Sequence, residues 1–319
     1  LPKRNLGAGS HPPLFFCGIA AQIDAMRSFD HFACIDWSGA ATRWQPGIAV
    51  AQCEAGSSAP RLIPSPERHW NRSAILDWLL QQAEARRNIL IGLDLSIALP
   101  FADRQSYFPG WEASPPDAKA LWRSVDALSS HDDYLSAQSF LQHPEIARHF
   151  RQHRNKGDLF GEGRGRLRKC EYNGQALIEG INPYSCFNLV GAAQVGKSSL
   201  TGMRVLHRLN SAIPIWPFDP LPASGPVIVE IYTSIAAQAS GVLAKGRSKI
   251  TDPQLLDTAL DRFSSKPHSP LYSRLSDHAA DALLTAAWLR THADQKDYWQ
   301  PAKLKPEIAK TEGWTFGVV

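Results

Sequence analysis

Three apolar, strand-like runs each carry one carboxylate: Asp36 in FACIDWSGA, Asp94 in ILIGLDLSIALP and Glu230 in VIVEIYTS. A fourth acidic cluster, SDHAADALLTAAWL, places Asp277 and Asp281 one helical turn apart. Carboxylates are disfavoured in strands and costly to bury unpaired. A chain that keeps one in each of three such runs needs them in one place. Their shared chemistry would be divalent-metal binding for phosphodiester hydrolysis. Mg²⁺ and Mn²⁺ take hard oxygen ligands and keep several waters. Two such ions about 3.5–4 Å apart stabilise both the attacking and the leaving oxygen of an in-line displacement. On this reading Asp36 bridges the metals, Asp94 and Glu230 complete the shell, and Asp277 and Asp281 hold the second ion. His278, beside Asp277, is placed to shuttle a proton or position a water.

Each acid also has a structural reading. Asp277 suits the first turn of a helix, Asp281 a solvated helix face, and Glu230 a paired core carboxylate. Asp36 and Asp94 are the hardest to explain that way, because each interrupts a wholly apolar run.

The elements that must position these residues follow from periodicity. HFACID reads as a buried strand, GIAVAQCE as a second and PRLIPS as a third, spaced for an antiparallel meander. SAILDWLLQQAEARR has the pattern of an amphipathic helix with Ser73 as its cap. NILIGLDLS is apolar on both faces, as parallel strands are. Residues 101–180 are polar and aromatic, with helices expected in SPPDAKALWRSVDAL and HPEIARHF; they read as a helical and basic insertion. Further strands are expected at YSCFNLV, VIVEIYT and GWTFGVV. Helices are expected at SSLTGMRVLHRLN, TDPQLLDTALDRF and SDHAADALLTAAWLRTHA, the last capped by Ser276.

That order, strand with Asp, two strands, helix, strand with Asp, insertion, strand with Glu, acidic helix, predicts a ribonuclease H-like α/β fold: a mixed β-sheet flanked by helices. Residues 26–319 form the expected single domain, and 1–25 a processed or floppy arm. ACIDWSGA, IGLDLSIALP, VGAAQVGKSSLTGM, VEIYTS, SDHAADALLTAA and EGWTFGV together resemble the family of predicted nucleases known as the DUF429 domain, over roughly residues 30–318. The resemblance implies a metal-dependent nuclease whose acidic positions are Asp36, Asp94, Glu230 and Asp277 or Asp281, with Mg²⁺ or Mn²⁺ as cofactor and a nucleic acid or nucleotide as substrate.

Basic elements fit a polyanionic partner. Lys156, Arg164, Arg166, Arg168 and Lys169 lie in a Gly-rich loop, and Lys245, Arg247 and Lys249 form a second cluster. Arg166, Arg168 and Lys197 are the candidate phosphate contacts. The alternative for the loop is a solvated segment in which Glu171 pairs with a neighbouring arginine.

One motif points elsewhere. Gly191-Ala-Ala-Gln-Val-Gly-Lys-Ser198 matches the P-loop pattern GxxxxGK[ST] in full. There Lys197 would reach phosphate oxygens and Ser198 would hold Mg²⁺. Against it, the preceding run is polar-flanked, and the one Walker-B-like run, NILIGLDLS, comes before it rather than after. A third possibility keeps the fold without the metal site, as a binding module.

Composition sets the outer bounds. Of the 319 residues 44% are hydrophobic and 20% charged, which suits a globular chain with a sizeable core. A net charge of +4 permits a polyanionic partner without demanding one. Cys17, Cys34, Cys53, Cys170 and Cys186 are odd in number and dispersed, which fits a reducing cytoplasm rather than a disulfide framework. No apolar run reaches membrane-spanning length. There is no GxSxG elbow, and the histidines lack zinc spacing.

Overall fold

A computed structural model describes residues 27–152, 154–172, 183–191, 194–242 and 250–319. The expected N-terminal arm and the cluster of Lys245, Arg247 and Lys249 lie outside them. The architecture is mixed α/β: a five-stranded mixed sheet with helices on both faces. Its strands are β1 (His31–Asp36), β2 (Ala49–Glu54), β3 (Arg61–Leu62), β4 (Ile89–Asp94) and β7 (Val227–Glu230); β5 (Arg151–Gln152) and β6 (Asn155–Lys156) form a separate hairpin. The order across the sheet is β3-β2-β1-β4-β7. β1, β2 and β3 pair antiparallel, whereas β4 runs parallel to both β1 and β7. Parallel pairing needs a crossover, supplied between β3 and β4 by α1 (Arg72–Glu84).

Alternation along the strands divides the core in two. Ala33, Ile35, Ile91, Leu93 and Ile228 point to a face covered by α1, α2 (Ala118–Leu128) and α5 (Val195–Arg208). Phe32, Cys34, Leu90, Val227 and Val229 point to the other, covered by α6 (Thr233–Ala239), α7 (Pro253–Asp261) and α8 (Asp277–His292). The short helices α3 (Gln138–Gln142) and α4 (Pro144–Ala147) come from the stretch read as an insertion. Among its described residues that stretch has no core of its own: Phe108, Trp122, Phe140, Ile146 and Phe150 are buried in the same cluster as Ile35 and Ile91.

The caps show how local chemistry sets the ends. Ser276 caps α8, its Oγ accepting from the Ala279 amide at 3.1 Å, as the spacing predicts. For α1 the cap is Asn71 rather than Ser73. Asn71 holds extended backbone and accepts from the Ala74 amide at 2.8 Å, and Ser73 already lies inside the helix. Two expected strands are absent. FNLV contributes a single bridge, Asn188 to Arg151, and the closing GWTFGVV a single bridge, Thr315 to Glu230. In the latter, Gly313 and Gly317 sit at φ +66° and +97°, which breaks an extended run at both ends.

Among the described residues no helix is long and apolar enough to cross a membrane. The four described cysteines, 34, 53, 170 and 186, are free and buried.

His149 gives the fold an acid-sensitive point. Its ring lies edge-on to Phe108, tilts against Phe187, and leaves Nδ1 without a partner. Burial, reinforced by the charges of Arg166 and Arg148, brings its pKa down from 6.5 to about 4. Between those values the unfolded chain binds the proton and the folded chain does not. Unfolding free energy therefore rises with pH across this window and falls as the solution is acidified from 6.5 towards 4, by up to about 3 kcal/mol. Urea titrations at pH 7 and at pH 4.5 should show this loss in the wild type, and a smaller one in His149→Phe.

Candidate functional site

β1 and β4 end side by side on carboxylates. Asp36 and Asp94 are direct register partners on adjacent parallel strands, whose axes lie about 4.8 Å apart. Register partners point to the same face, and here it is the α8 face. Asp36 is only 4% exposed. Its Oδ1 lies 3.1 Å from Nδ1 of His278, in the first turn of α8. Asp94 is half-buried, and its two oxygens accept from the amide and the hydroxyl of Thr233, both at 3.2 Å. Asp94 thus also caps the start of α6, which fixes its carboxylate in orientation.

α8 separates the two helix acids. Asp281 is 5% exposed and buried in the interface with the sheet. Asp277 turns outward, with its side chain 43% exposed and one oxygen 3.9 Å from His278 Nε2. His278 and Asp281 are i and i+3, and His278 meets Asp36, whereas no bond joins Asp277 to Asp36 or Asp94 among those described. The Cys34 thiol, inside this interface, is pushed well above its ordinary pKa by burial and then by the charges of Asp94, Asp36 and Asp281. Three of the five candidate acids therefore act on one buried point.

Glu230 belongs to the opposite face. It pairs with Leu93, not Asp94, so it is one residue out of step with the Asp36–Asp94 row. The Ile231 amide donates to the Leu93 carbonyl, so Ile231 is the residue of this chain segment that comes level with Asp94. Glu230 is 2% exposed and fully engaged: it accepts from Arg168 Nη1 at 2.7 Å, from Arg168 Nη2, from Thr315 Oγ1 and from the Ile97 amide at 2.9 Å. It is a paired core carboxylate, and it borders the same cavity as Asp94.

The same contacts reassign two candidate phosphate ligands. Arg168 is 1% exposed and also bonds Glu171 at 2.9 Å and the Glu312 carbonyl at 3.1 Å. Arg166 makes a two-pronged ion pair with Asp103 and donates to the carbonyls of Pro100, Ser106 and Tyr107. Both guanidinium groups lock the basic loop onto the fold and are not offered to a phosphate backbone. Sequence reading missed Glu312, whose carboxylate gathers the amides of Phe101, Ala102 and Lys169.

Lys197 is the candidate cation that does reach the site. It stands in the first turn of α5, with Nζ 2.8 Å from Gln194 Oε1. α5 abuts the turn after β1: a Cβ on Gly39 would lie 2.5 Å from Lys197 Cβ and 2.6 Å from the Ser198 amide nitrogen, so only glycine fits there. Trp37 Nε1 donates to Thr201 Oγ1, and the Ser96 amide to Ser199 Oγ, which fasten α5 to the ends of both β1 and β4. The turn itself is held from the other side by Arg72, which donates to the carbonyls of Ser38, Ala40 and Tyr134. Burial, and then the charge of Arg204, brings the Arg72 pKa down to about 10. The P-loop reading loses its context here, since α5 follows an isolated bridge and not a strand of the central sheet.

These elements enclose a cavity of about 860 Å³ at the carboxyl ends of β1 and β4. Asp94, His278 and Lys197 line it, along with Gln138 and Gln142 of α3 and Tyr184. Asp36, Asp94 and Asp281 match a hard divalent cation in donor type and in the face they share. Among the described residues no three His, Cys, Asp or Glu side chains stand at mutual ligating spacing, so the acids are gathered on one face without closing around a point. No known protein family, curated protein or solved structure matches this chain.

Proposed function

We propose that this protein is a metal-dependent phosphodiesterase acting on nucleic acid, with a ribonuclease H-like sheet as its frame. The observation that carries the reading is the Asp36–Asp94 pair, in register on adjacent parallel strands, with Asp94 lining a large cavity. The strand order, with β2 antiparallel and β4 and β7 parallel to β1, and the closing acidic helix support the frame.

Asp36, Asp94 and Asp281 would hold Mg²⁺ or Mn²⁺; Glu230 and Asp277 drop out of the set. A bound divalent ion supplies charge for the phosphoryl oxygens and lowers the pKa of an attacking water. The chain's own residues do the rest. Thr233 holds the Asp94 carboxylate in place. His278, with Nδ1 against Asp36 and Nε2 3.9 Å from Asp277, would be the group that takes or gives a proton. Lys197 places one positive charge at the cavity wall for a phosphate.

Calorimetric titration with Mn²⁺ tests this. Binding should weaken by about tenfold or more in Asp281→Asn and stay within about twofold of wild type in Asp277→Asn. Wild-type affinity in both variants would remove α8 from the metal site. A second reading, a binding module without a metal, is favoured by the lack of a closed ligand group among the described residues. It predicts no Mn²⁺ heat in the wild type.

A further inference from the structure

The cavity also bears on which nucleic acid is taken. We propose that it admits a single unpaired nucleotide, with its base unstacked and read by amide side chains, and that duplex is excluded. This rests on the assignment of the Asp36–Asp94 cavity as the substrate site.

Size is the first argument. At about 860 Å³ the cavity is within the range that encloses one small organic ligand, about 300–1,000 Å³. A duplex presents two backbones across a groove about 12 Å wide and needs an open basic track. Two of the loop residues that could have built such a track, Arg166 and Arg168, are spent inside the fold. Among the described residues the basic side chains lining the cavity are Lys197, His278 and Arg168, the last engaged by Glu230 and Glu171, so Lys197 and His278 are left for one or two phosphates.

Lining chemistry is the second argument. Gln138 and Gln142 are both exposed, lie i,i+4 on α3, and border the same cavity as Asp94. A glutamine amide carries a donor and an acceptor side by side, the complement of a base edge. Such an edge becomes available when the base leaves its stack. Tyr184, at the cavity wall and 47% exposed, offers an aromatic face for that base.

Binding is measured first, by fluorescence anisotropy in EDTA, with a short labelled single strand, the same sequence as blunt duplex, and the duplex with an unpaired overhang. The single strand and the overhang should bind about tenfold or more tighter than the blunt duplex. Tyr184→Ala, and the double variant Gln138→Ala with Gln142→Ala, should each weaken the single strand about tenfold while leaving Mn²⁺ affinity unchanged. Equal binding of blunt duplex and single strand overturns the proposal, and so does single-strand binding unaffected by all three substitutions. Hydrolysis is then assayed with Mn²⁺. Single-strand selectivity without hydrolysis sustains this inference and rejects the phosphodiesterase, so the two fail separately.

Discussion

Asp36→Asn should lower Mn²⁺-dependent hydrolysis of a fluorogenic single-stranded oligonucleotide about a thousandfold or more. The size follows from the several kcal/mol that a metal-centred charge supplies to a phosphoryl transition state, at about 1.4 kcal/mol per tenfold. The variant should fold. Asn keeps the volume and the acceptor towards His278 Nδ1, and losing a carboxylate that is 4% exposed removes a desolvation cost. Urea unfolding of the same sample therefore serves as the control. A normally active Asp36→Asn enzyme would take Asp36 out of the chemistry. A variant that unfolds in step with its loss of activity would make Asp36 a structural acid.

The second large effect concerns Arg168 and is one of stability. Arg168→Met should cost about 3–5 kcal/mol in urea denaturation, because it strands Glu230 and Glu171 as buried charges. Arg168→Met combined with Glu230→Gln should cost less than the two single changes summed, since both members of the pair are then neutral. If Arg168 instead contacts phosphate, Arg168→Met will be as stable as wild type and impaired only in nucleic-acid binding. Opposite outcomes for Asp36 and Arg168, activity lost in one and stability in the other, would separate the two faces of the sheet by function.

What was legible in the sequence follows physical range. The strands at HFACID, AVAQCE and ILIGLD, and the cap of α8 at Ser276, rest on signals within a few residues of one another. The shared face of Asp36 and Asp94 needs only one crossover and two like strands. The side that Glu230 takes was not legible, because it depends on the register of β7 against β4, set across more than a hundred intervening residues. A slip of one residue reverses the face, and no local pattern reports it. Arg166 and Arg168 read as a solvated basic loop because their partners are remote: Asp103 is 63 residues from Arg166, and Glu230 is 62 from Arg168. Only Glu171, three residues from Arg168, was within local reach, and it was the pairing that sequence reading did raise. Gln138, Gln142 and Tyr184 carry no motif at all. They are found only once folding brings α3 and the residue 184 segment to the ends of β1 and β4.

The one-residue offset of β7 also governs how the protein tolerates change. In a saturation mutagenesis survey scored separately for cellular abundance and for activity, adjacent codons at the sheet edge should fall into opposite classes. Ile35 and Leu93, on the dry side, should be read by abundance, and Asp36 and Asp94 by activity. On β7 the order inverts: the charged Glu230 should behave as a folding codon. A survey that assigned importance by residue chemistry alone would misfile it, and the alternating profile would report the strand register without a structure.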